Sequence, residues 1–372
     1  MIKSWQSFSC ESHDAFLSRT NRRRYPSPRA HLARDCYSAY HLSRVSESSR
    51  EKPSQDFAGK DARAPNGVCA PIIAIVGPTA SGKSSLGIEL ALRLGGEIIN
   101  CDSVQVYRGI QIATAKVPLA ERRGVPHHLI DFVSPLVNFT AADWARAAIE
   151  KIEEIEMRGR RVLLVGGTGF YLRALRQPFF ESPPTDESLR ARLGKIRQRH
   201  GPERLHRILQ RFDADEAAKL NVRDWPRVQR AIEFCLQTGE PISRQRPLRP
   251  EPPAIAARIR IFALNPPRAE LYARINRRTE EHFASGLADE VHQLLDAGVP
   301  AEANALGAHG YRRVVEHLRG RRTLESAIEQ TKLDVRHYAK RQLSWFRHEL
   351  GVEWVDGFGD DARVQDEVCA RV

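Results

Sequence analysis

Residues 75–86 read IVGPTASGKSSL, and this stretch decides the fold. An apolar run, PIIAIV, enters it, and a helix-patterned run, SSLGIELALRL, leaves it. The segment fits G-x-x-x-x-G-K-[ST], with Gly77, Gly82, Lys83 and Ser84 in the fixed places. Strand, glycine-rich loop and helix in that order make a phosphate loop. Gly77, Pro78, Thr79, Ala80, Ser81, Gly82, Lys83 and Ser84 wrap a concavity beside a helix N-terminus, where backbone N–H groups form an anion site. Lys83 brings a mobile positive charge to the outer phosphate oxygens, and the Ser84 hydroxyl offers a ligand to Mg2+. The motif alone leaves open whose phosphates the loop holds.

Outward from the loop, short apolar runs read as buried strands: IIAIV (72–76), EIIN (97–100), HLIDF (128–132), RVLLV (161–165) and IRIFAL (259–264). Helical patterns such as AADWARAAIEKIEEIEMRG lie between them. Strands alternating with helices predict an α/β fold, a P-loop NTPase-like core around a parallel, doubly wound sheet. After PFFESPPTD (178–186) the strand pattern stops. LRARLGKIRQRH, RLHRILQRF and WPRVQRAIEFCLQTG read as three Arg-rich helices before PLRPEPP (247–253) leads back to a strand. The expected organisation is a catalytic core over 67–184 and 246–372, interrupted by an all-helical insertion over 185–245. A long helical region, 268–350, is expected after the last main strand. Residues 1–66 are polar, rich in Ser and Arg and without sustained periodicity, which reads as a disordered basic extension. A mitochondrial transit peptide has a similar composition, but Glu11 and Asp14 oppose that reading, and a start site taken too far upstream gives the same pattern.

The 372 residues are 41% hydrophobic, enough for a sizeable core. Lys and Arg outnumber Asp and Glu by 58 to 46, a formal charge of +12. That excess suits a polyanionic partner such as nucleic acid, and equally a basic surface with no such partner. No run of 18 apolar residues occurs, so no membrane span is expected. Cys10, Cys36, Cys69, Cys101, Cys235 and Cys369 lie far apart, with no C-x-x-C and no zinc spacing. Reduced thiols in a cytoplasmic protein are the expectation.

The usual phosphate-loop NTPase also has an apolar strand ending in Asp, which helps to hold Mg2+. Here the corresponding strand, RVLLVGGTGFYL, ends in Gly166-Gly167-Thr168 with no carboxylate. Asp102, in IINCDSVQVY, stands instead at the end of the second strand. Ligands of open α/β sheets bind at the carboxyl ends of the strands, so Gly77–Ser84, Asp102 and Thr168 are expected around one cleft. A lone Asp after a strand also caps turns, and the two readings stand side by side.

The chain resembles one family closely. GPTASGKSS, CDSVQVYRGIQIATAK, PHHLIDFVSP, VGGTGFYLRAL, RVQRAIEF and YAKRQLSWFR occur in the order found in tRNA dimethylallyltransferases, also called tRNA isopentenyltransferases. The resemblance runs from about residue 71 to the C-terminus. It implies transfer of a dimethylallyl group from dimethylallyl diphosphate to N6 of adenine 37, beside the anticodon, in tRNAs that read codons beginning with U. The loop then holds a prenyl diphosphate, with Mg2+, and no nucleoside triphosphate is hydrolysed. The family's D-S aspartate, which orients and deprotonates the amine, falls on Asp102, and its G-G-T threonine on Thr168. The family's R-I-x-x-R stretch, whose second arginine faces the donor diphosphate, matches LYARINRRTEEHF and gives Arg278, with Arg274 one turn away.

The resemblance also implies a binding surface for the tRNA anticodon stem-loop. Asp102, Ser103, Val104 and Gln105 are expected at the target nucleotide, together with Thr168 and with Pro226, Arg227, Val228, Gln229 and Arg230 on the insertion. Arg190 matches a tRNA-contacting arginine. GAHGYRRV resembles the family's G-Y-R-Q segment, so Gly310, Tyr311 and Arg312 are expected at the anticodon loop, with Tyr311 stacking on an unstacked base. Arg313 replaces the usual Gln and His337 another. The absence of a Cys/His module after the core points to the bacterial type, and a monomer is expected. A P-loop kinase of small metabolites, an adenylate isopentenyltransferase and a non-enzymatic RNA-binding protein share parts of the pattern. None of them accounts for the intact loop together with two basic helical regions.

Overall fold

The computed structural model describes residues 70–372; the extension expected over 1–66 lies outside the described residues. β1 (Ile72–Val76) runs into the phosphate loop and α1 (Lys83–Leu94) leaves it. β2 (Gly96–Asn100), β3 (His127–His128), α2 (Ala141–Met157), β4 (Arg161–Val165) and α3 (Gly169–Arg176) follow. Five helices then come without a strand: α4 (Glu187–His200), α5 (Pro202–Phe212), α6 (Ala214–Lys219), α7 (Trp225–Thr238) and α8 (Ile242–Gln245). β5 (Ile259–Asn265) returns to the sheet. α9 (Arg268–Ala284), α10 (Leu287–Asp296), α11 (His309–Leu318), α12 (Leu324–Arg347), β6 (Val352–Asp356) and α13 (Ala362–Arg371) complete the chain.

The sheet has six parallel strands in the order β3-β2-β4-β1-β5-β6. Both faces of β1 are buried, as its uninterrupted apolar run requires. Ile72, Ala74 and Val76 face a cluster that includes Trp144 of α2 and Leu172 of α3. Ile73 and Ile75 face the opposite cluster, closed by Leu86 and Leu90 of α1 and Val364 and Val368 of α13. β1 and β4 pair directly, and β2 flanks β4, so the phosphate loop, the Gly166–Thr168 turn and Asp102 leave the sheet at the same edge.

Two strands differ from the sequence reading. Of HLIDF only His128 belongs to β3, because Leu129 and Asp131 adopt left-handed backbone, φ 56° and 53°, and turn the chain away. β6 was not expected. It pairs with β5 from Ile261–Val352 to Asn265–Asp356 at the sheet edge, where VEWVD needs no continuous apolar run.

The insertion has its own apolar cluster, built from Leu189, Leu193, Leu205, Leu209, Ala217, Val228, Ala231, Ile232, Phe234 and Ile242. Each large side chain contributes about 1.5–3 kcal/mol when fully buried, enough to hold short helices together. Asp186 and Asp213 cap α4 and α6 by accepting the N–H groups of Leu189 and Glu216, at 3.0 and 2.9 Å.

Candidate active site

The phosphate loop curves because three residues take positive φ. Gly77 stands at 142°, Ala80 at 64° and Gly82, the N-cap of α1, at 83°. A side chain at Gly82 would also meet the backbone of Gly359 and Asp360, whose loop lies across the phosphate loop and donates from the Gly359 N–H to the Ser81 carbonyl at 2.9 Å. No acidic residue and no side-chain cap occupies the first turn of α1, so its free N–H groups and positive dipole end remain for an anion. The Ser81 hydroxyl is buried without a partner. Lys83 folds back and donates to the Pro78 carbonyl at 2.6 Å. Burial pulls its ammonium down to about 8, with Asp102 opposing that shift and Arg278 adding to it.

Asp102 closes a turn and also faces the cavity. Its Oδ1 accepts the N–H groups of Val104, at 2.9 Å, and Gln105, at 3.3 Å, closing an Asx turn at the end of β2. Its Oδ2 takes no hydrogen bond among the described residues, and the side chain lines a cavity of about 420 Å³. Thr168 ties the neighbouring turn to this one: its hydroxyl accepts the Ser103 N–H at 3.0 Å and donates to Ser103 Oγ at 3.3 Å. Gln105 spends its amide N–H groups on the carbonyls of Thr114 and Ala115. Arg278 lines the same cavity, its pKa lowered by burial and held up in part by Asp102. His282, beside it, is pushed down to about 4 by burial and by Arg278, and is neutral at pH 7. The crevice thus gathers two partly desolvated cations around one carboxylate. Arg274 is not part of it: the guanidinium pairs with Asp360 at 2.8 Å and lies 3.7 Å over the Phe358 ring.

The residues assigned to tRNA divide into three groups. Pro226, Arg227 and Arg312 are exposed. Arg190 and Arg230 are half-exposed and share one acceptor, Glu233, which is fully buried; Arg190 Nε donates to it at 2.8 Å and Arg230 Nη1 at 3.4 Å. Arg230 also donates to the Pro183 carbonyl at 2.9 Å. The third group is buried. Val228 and Gln229 lie in the insertion, Gln229 donating to the Arg190 carbonyl at 3.3 Å, so helical periodicity turns both side chains inward. Tyr311 is likewise fully buried. Its hydroxyl donates to Glu290 and accepts the Ala113 N–H at 3.4 Å, so its ring is not open to a base. Gly310, by contrast, lines the cavity. Arg313 fills the place of the usual Gln with ion pairs to Asp334, at 2.6 Å, and Glu316, at 2.9 Å.

Two residues of YAKRQLSWFR reach the crevice. Tyr338 lines the cavity beside Thr168, and burial raises its pKa. Gln342 reaches the phosphate loop itself. Their i, i+4 spacing on α12 was the available signal.

Among the described residues no three His, Cys, Asp or Glu side chains form a metal cage. Mg2+ accepts a different donor set, one or two protein oxygens completed by substrate phosphates and water, and the Ser84 hydroxyl in the first turn of α1 fits it.

Fold and crevice together define an α/β protein with a P-loop motif whose free N–H groups and desolvated cations stand beside a lone carboxylate. The chain belongs to the IPP transferase family, whose sequence pattern matches residues 105–349. It is 44% identical to a tRNA dimethylallyltransferase of Solibacter usitatus over 81% of this chain and 98% of that one. It is 46% identical to the Geobacter metallireducens tRNA dimethylallyltransferase over 77% of this chain and 92% of that one. Among solved structures it is similar to the tRNA isopentenylpyrophosphate transferase of Bacillus halodurans, with 39% identity, a TM-score of 0.60, and coverage of 81% and 95%. It is also similar to a eukaryotic dimethylallyltransferase acting on tRNA, with 28% identity, a TM-score of 0.67, and coverage of 81% and 77%. No helix of the described residues is long and apolar enough to cross a membrane.

Proposed function

We propose that the protein transfers the dimethylallyl group of dimethylallyl diphosphate to N6 of adenine 37 in tRNAs reading codons that begin with U. The observation that carries this reading is the pairing of two desolvated cations, Lys83 and Arg278, with the lone carboxylate Asp102 in one crevice. A kinase core would carry a metal-binding carboxylate at the end of β4, where this chain has Gly166-Gly167-Thr168.

The diphosphate lies in the phosphate loop, against the N-terminus of α1. Lys83 and Arg278 neutralise the charge that grows on it as the allylic C–O bond breaks. Ser84 holds Mg2+, whose chemistry is to share in that neutralisation. Adenine N6 is a weak nucleophile because its lone pair is delocalised into the ring. Asp102 accepts one N6 hydrogen through Oδ2, orients the amine in line, and takes the proton as the N–C bond forms. Diphosphate and the N6-dimethylallyl base are the products. Thr168 fixes the Ser103 turn at the junction of the two substrates.

The target base must leave the anticodon stack to reach this crevice. Residues 185–245, with Arg190, Arg227 and Arg230, and the exposed Arg312 grip the anticodon stem-loop, while 67–184 and 246–372 carry the chemistry. The groups named make one complete site within a single chain, in keeping with a monomeric enzyme that acts on tRNA in the cytoplasm. Incubation with labelled dimethylallyl diphosphate, unmodified tRNA and AMP tests the reading. Label on adenine 37 is expected; label on AMP, or on neither, overturns it.

A further inference from the structure

Gln342 is buried, and its amide spans two loops. Oε1 accepts the Thr79 N–H at 2.8 Å, and Nε2 donates to the Gly167 carbonyl at 2.9 Å. The two loops end the adjacent strands β1 and β4. Thr79 directly precedes Ala80, where the phosphate loop turns to positive φ. Gly167 directly precedes Thr168. An uncharged amide is what this position needs, because it carries a donor and an acceptor on one rigid plane. The surroundings hold it in place. A Cβ at Gly167 would collide with Nε2, and one at Gly169 with the Trp345 indole one turn further along α12. Trp345 is in turn covered by the Arg173 guanidinium, 4.1 Å from its ring centroid.

We infer that Gln342 is a positioning residue: its amide sets the spacing between the phosphate loop and the Thr168 turn, and so the alignment of donor carbon with the amine held by Asp102. The inference rests on the proposed prenyl-diphosphate reading of the crevice. Displacement of reacting groups by about 1 Å costs on the order of 10²-fold in rate, so one lost bridge has a large lever.

Gln342→Glu and Gln342→Met, made in the full chain, test it by kcat, KM for dimethylallyl diphosphate, calorimetric binding of inorganic pyrophosphate, tRNA filter binding and Tm. Gln342→Glu keeps the acceptor for Thr79 but sets a carboxylate against the Gly167 carbonyl. At pH 8 we expect kcat to fall roughly 10- to 100-fold with tRNA affinity unchanged. As pH falls towards 5.5 the introduced carboxyl, raised by burial, takes a proton and regains a donor. Its deficit relative to the unmodified chain then narrows, whereas that of Gln342→Met does not. A lower Tm in both variants, with kcat per folded molecule intact and no pH-dependent recovery, overturns the inference and leaves Gln342 a packing residue. Failure of the unmodified chain to bind pyrophosphate overturns the reading of the crevice and the inference with it. Normal binding there, with both variants also turning over normally, overturns the inference alone.

Discussion

The crevice and the helical insertion both hold basic side chains, in opposite electrostatic states. In the crevice, Lys83 meets only a backbone carbonyl, and Arg278 makes no hydrogen bond or ion pair among the described residues. Burial lowers the pKa of both. In the insertion, Arg190 and Arg230 share the two oxygens of the fully buried Glu233. A desolvated cation with no carboxylate hydrogen-bonded to it is costly to keep and is relieved when an anion arrives. A paired one supports the fold and keeps only its exposed edge for a ligand. A basic residue therefore serves ligand or fold according to its partner, and sequence resemblance reports the residue without the partner.

The sharpest way to break this contrast is at the carboxylate the cations surround. Asp102→Asn keeps an oxygen for the Asx turn and removes the base. Turnover should fall roughly 10²–10⁴-fold, with tRNA affinity nearly intact. Single-turnover transfer of labelled donor, beside filter binding, measures both; near-normal turnover would end the assignment.

Lys83→Ala should cost about 10²–10³-fold in transfer, the scale of one lost preorganised donor, and leave tRNA binding unchanged. The unliganded ammonium titrates at about 8. It is charged below that pH and neutral above it. Pyrophosphate affinity should therefore weaken as pH rises through 8, by up to about tenfold per unit, and the variant should lack that dependence. Calorimetry across pH 7–9.5 checks the sign; a flat profile in the unmodified chain contradicts it.

Among the arginines assigned to tRNA the effects are smaller and of two kinds. Arg190→Ala and Arg230→Ala each take a partner from buried Glu233, so tRNA affinity and Tm should fall together, the stability loss being about 1–3 kcal/mol. Arg312→Ala should weaken tRNA binding with Tm unchanged. If its contact is to a phosphate, the slope of log affinity against log salt should drop by about 0.7–0.9. Equal Tm in all three variants would erase the distinction between an arginine paired with a buried carboxylate and an exposed one.

The core was legible because its signals are local. The phosphate loop, the four longer strand runs and the capped helices each show in a dozen residues. Asp102 was legible as a strand-end carboxylate, although its Asx turn was not separable from catalysis on spacing alone. What escaped depends on partners distant in the chain. β6 is an edge strand recognisable only beside β5. Gln342 acts across 263 residues on Thr79. Val228, Gln229 and Tyr311 sit inside motifs that resemblance assigns to RNA, yet helical phase turns them into the core.

The smallest effect is expected where the described fold begins. Arg258 donates to the Ala70 carbonyl at 2.7 and 3.3 Å, just ahead of β1, and Glu156 of α2 also holds its guanidinium. Ala70 is thus the first residue with a tertiary partner among those described. A chain starting at Gly67 keeps this clamp, both faces of β1 and every group placed in the crevice. Its transfer rate and Tm should match those of the full chain. A chain starting at Ile72 loses the acceptor and leaves Arg258 to Glu156 alone; a charge-assisted hydrogen bond of this kind contributes about 1.5–3 kcal/mol, so Tm should drop by several degrees while turnover per folded molecule holds. Thermal melts and tRNA prenylation of the two chains separate the cases. Loss of transfer in the Gly67 chain, with folding retained, would place part of the substrate site in residues 1–66 and redraw the boundary between catalytic core and RNA-gripping surface.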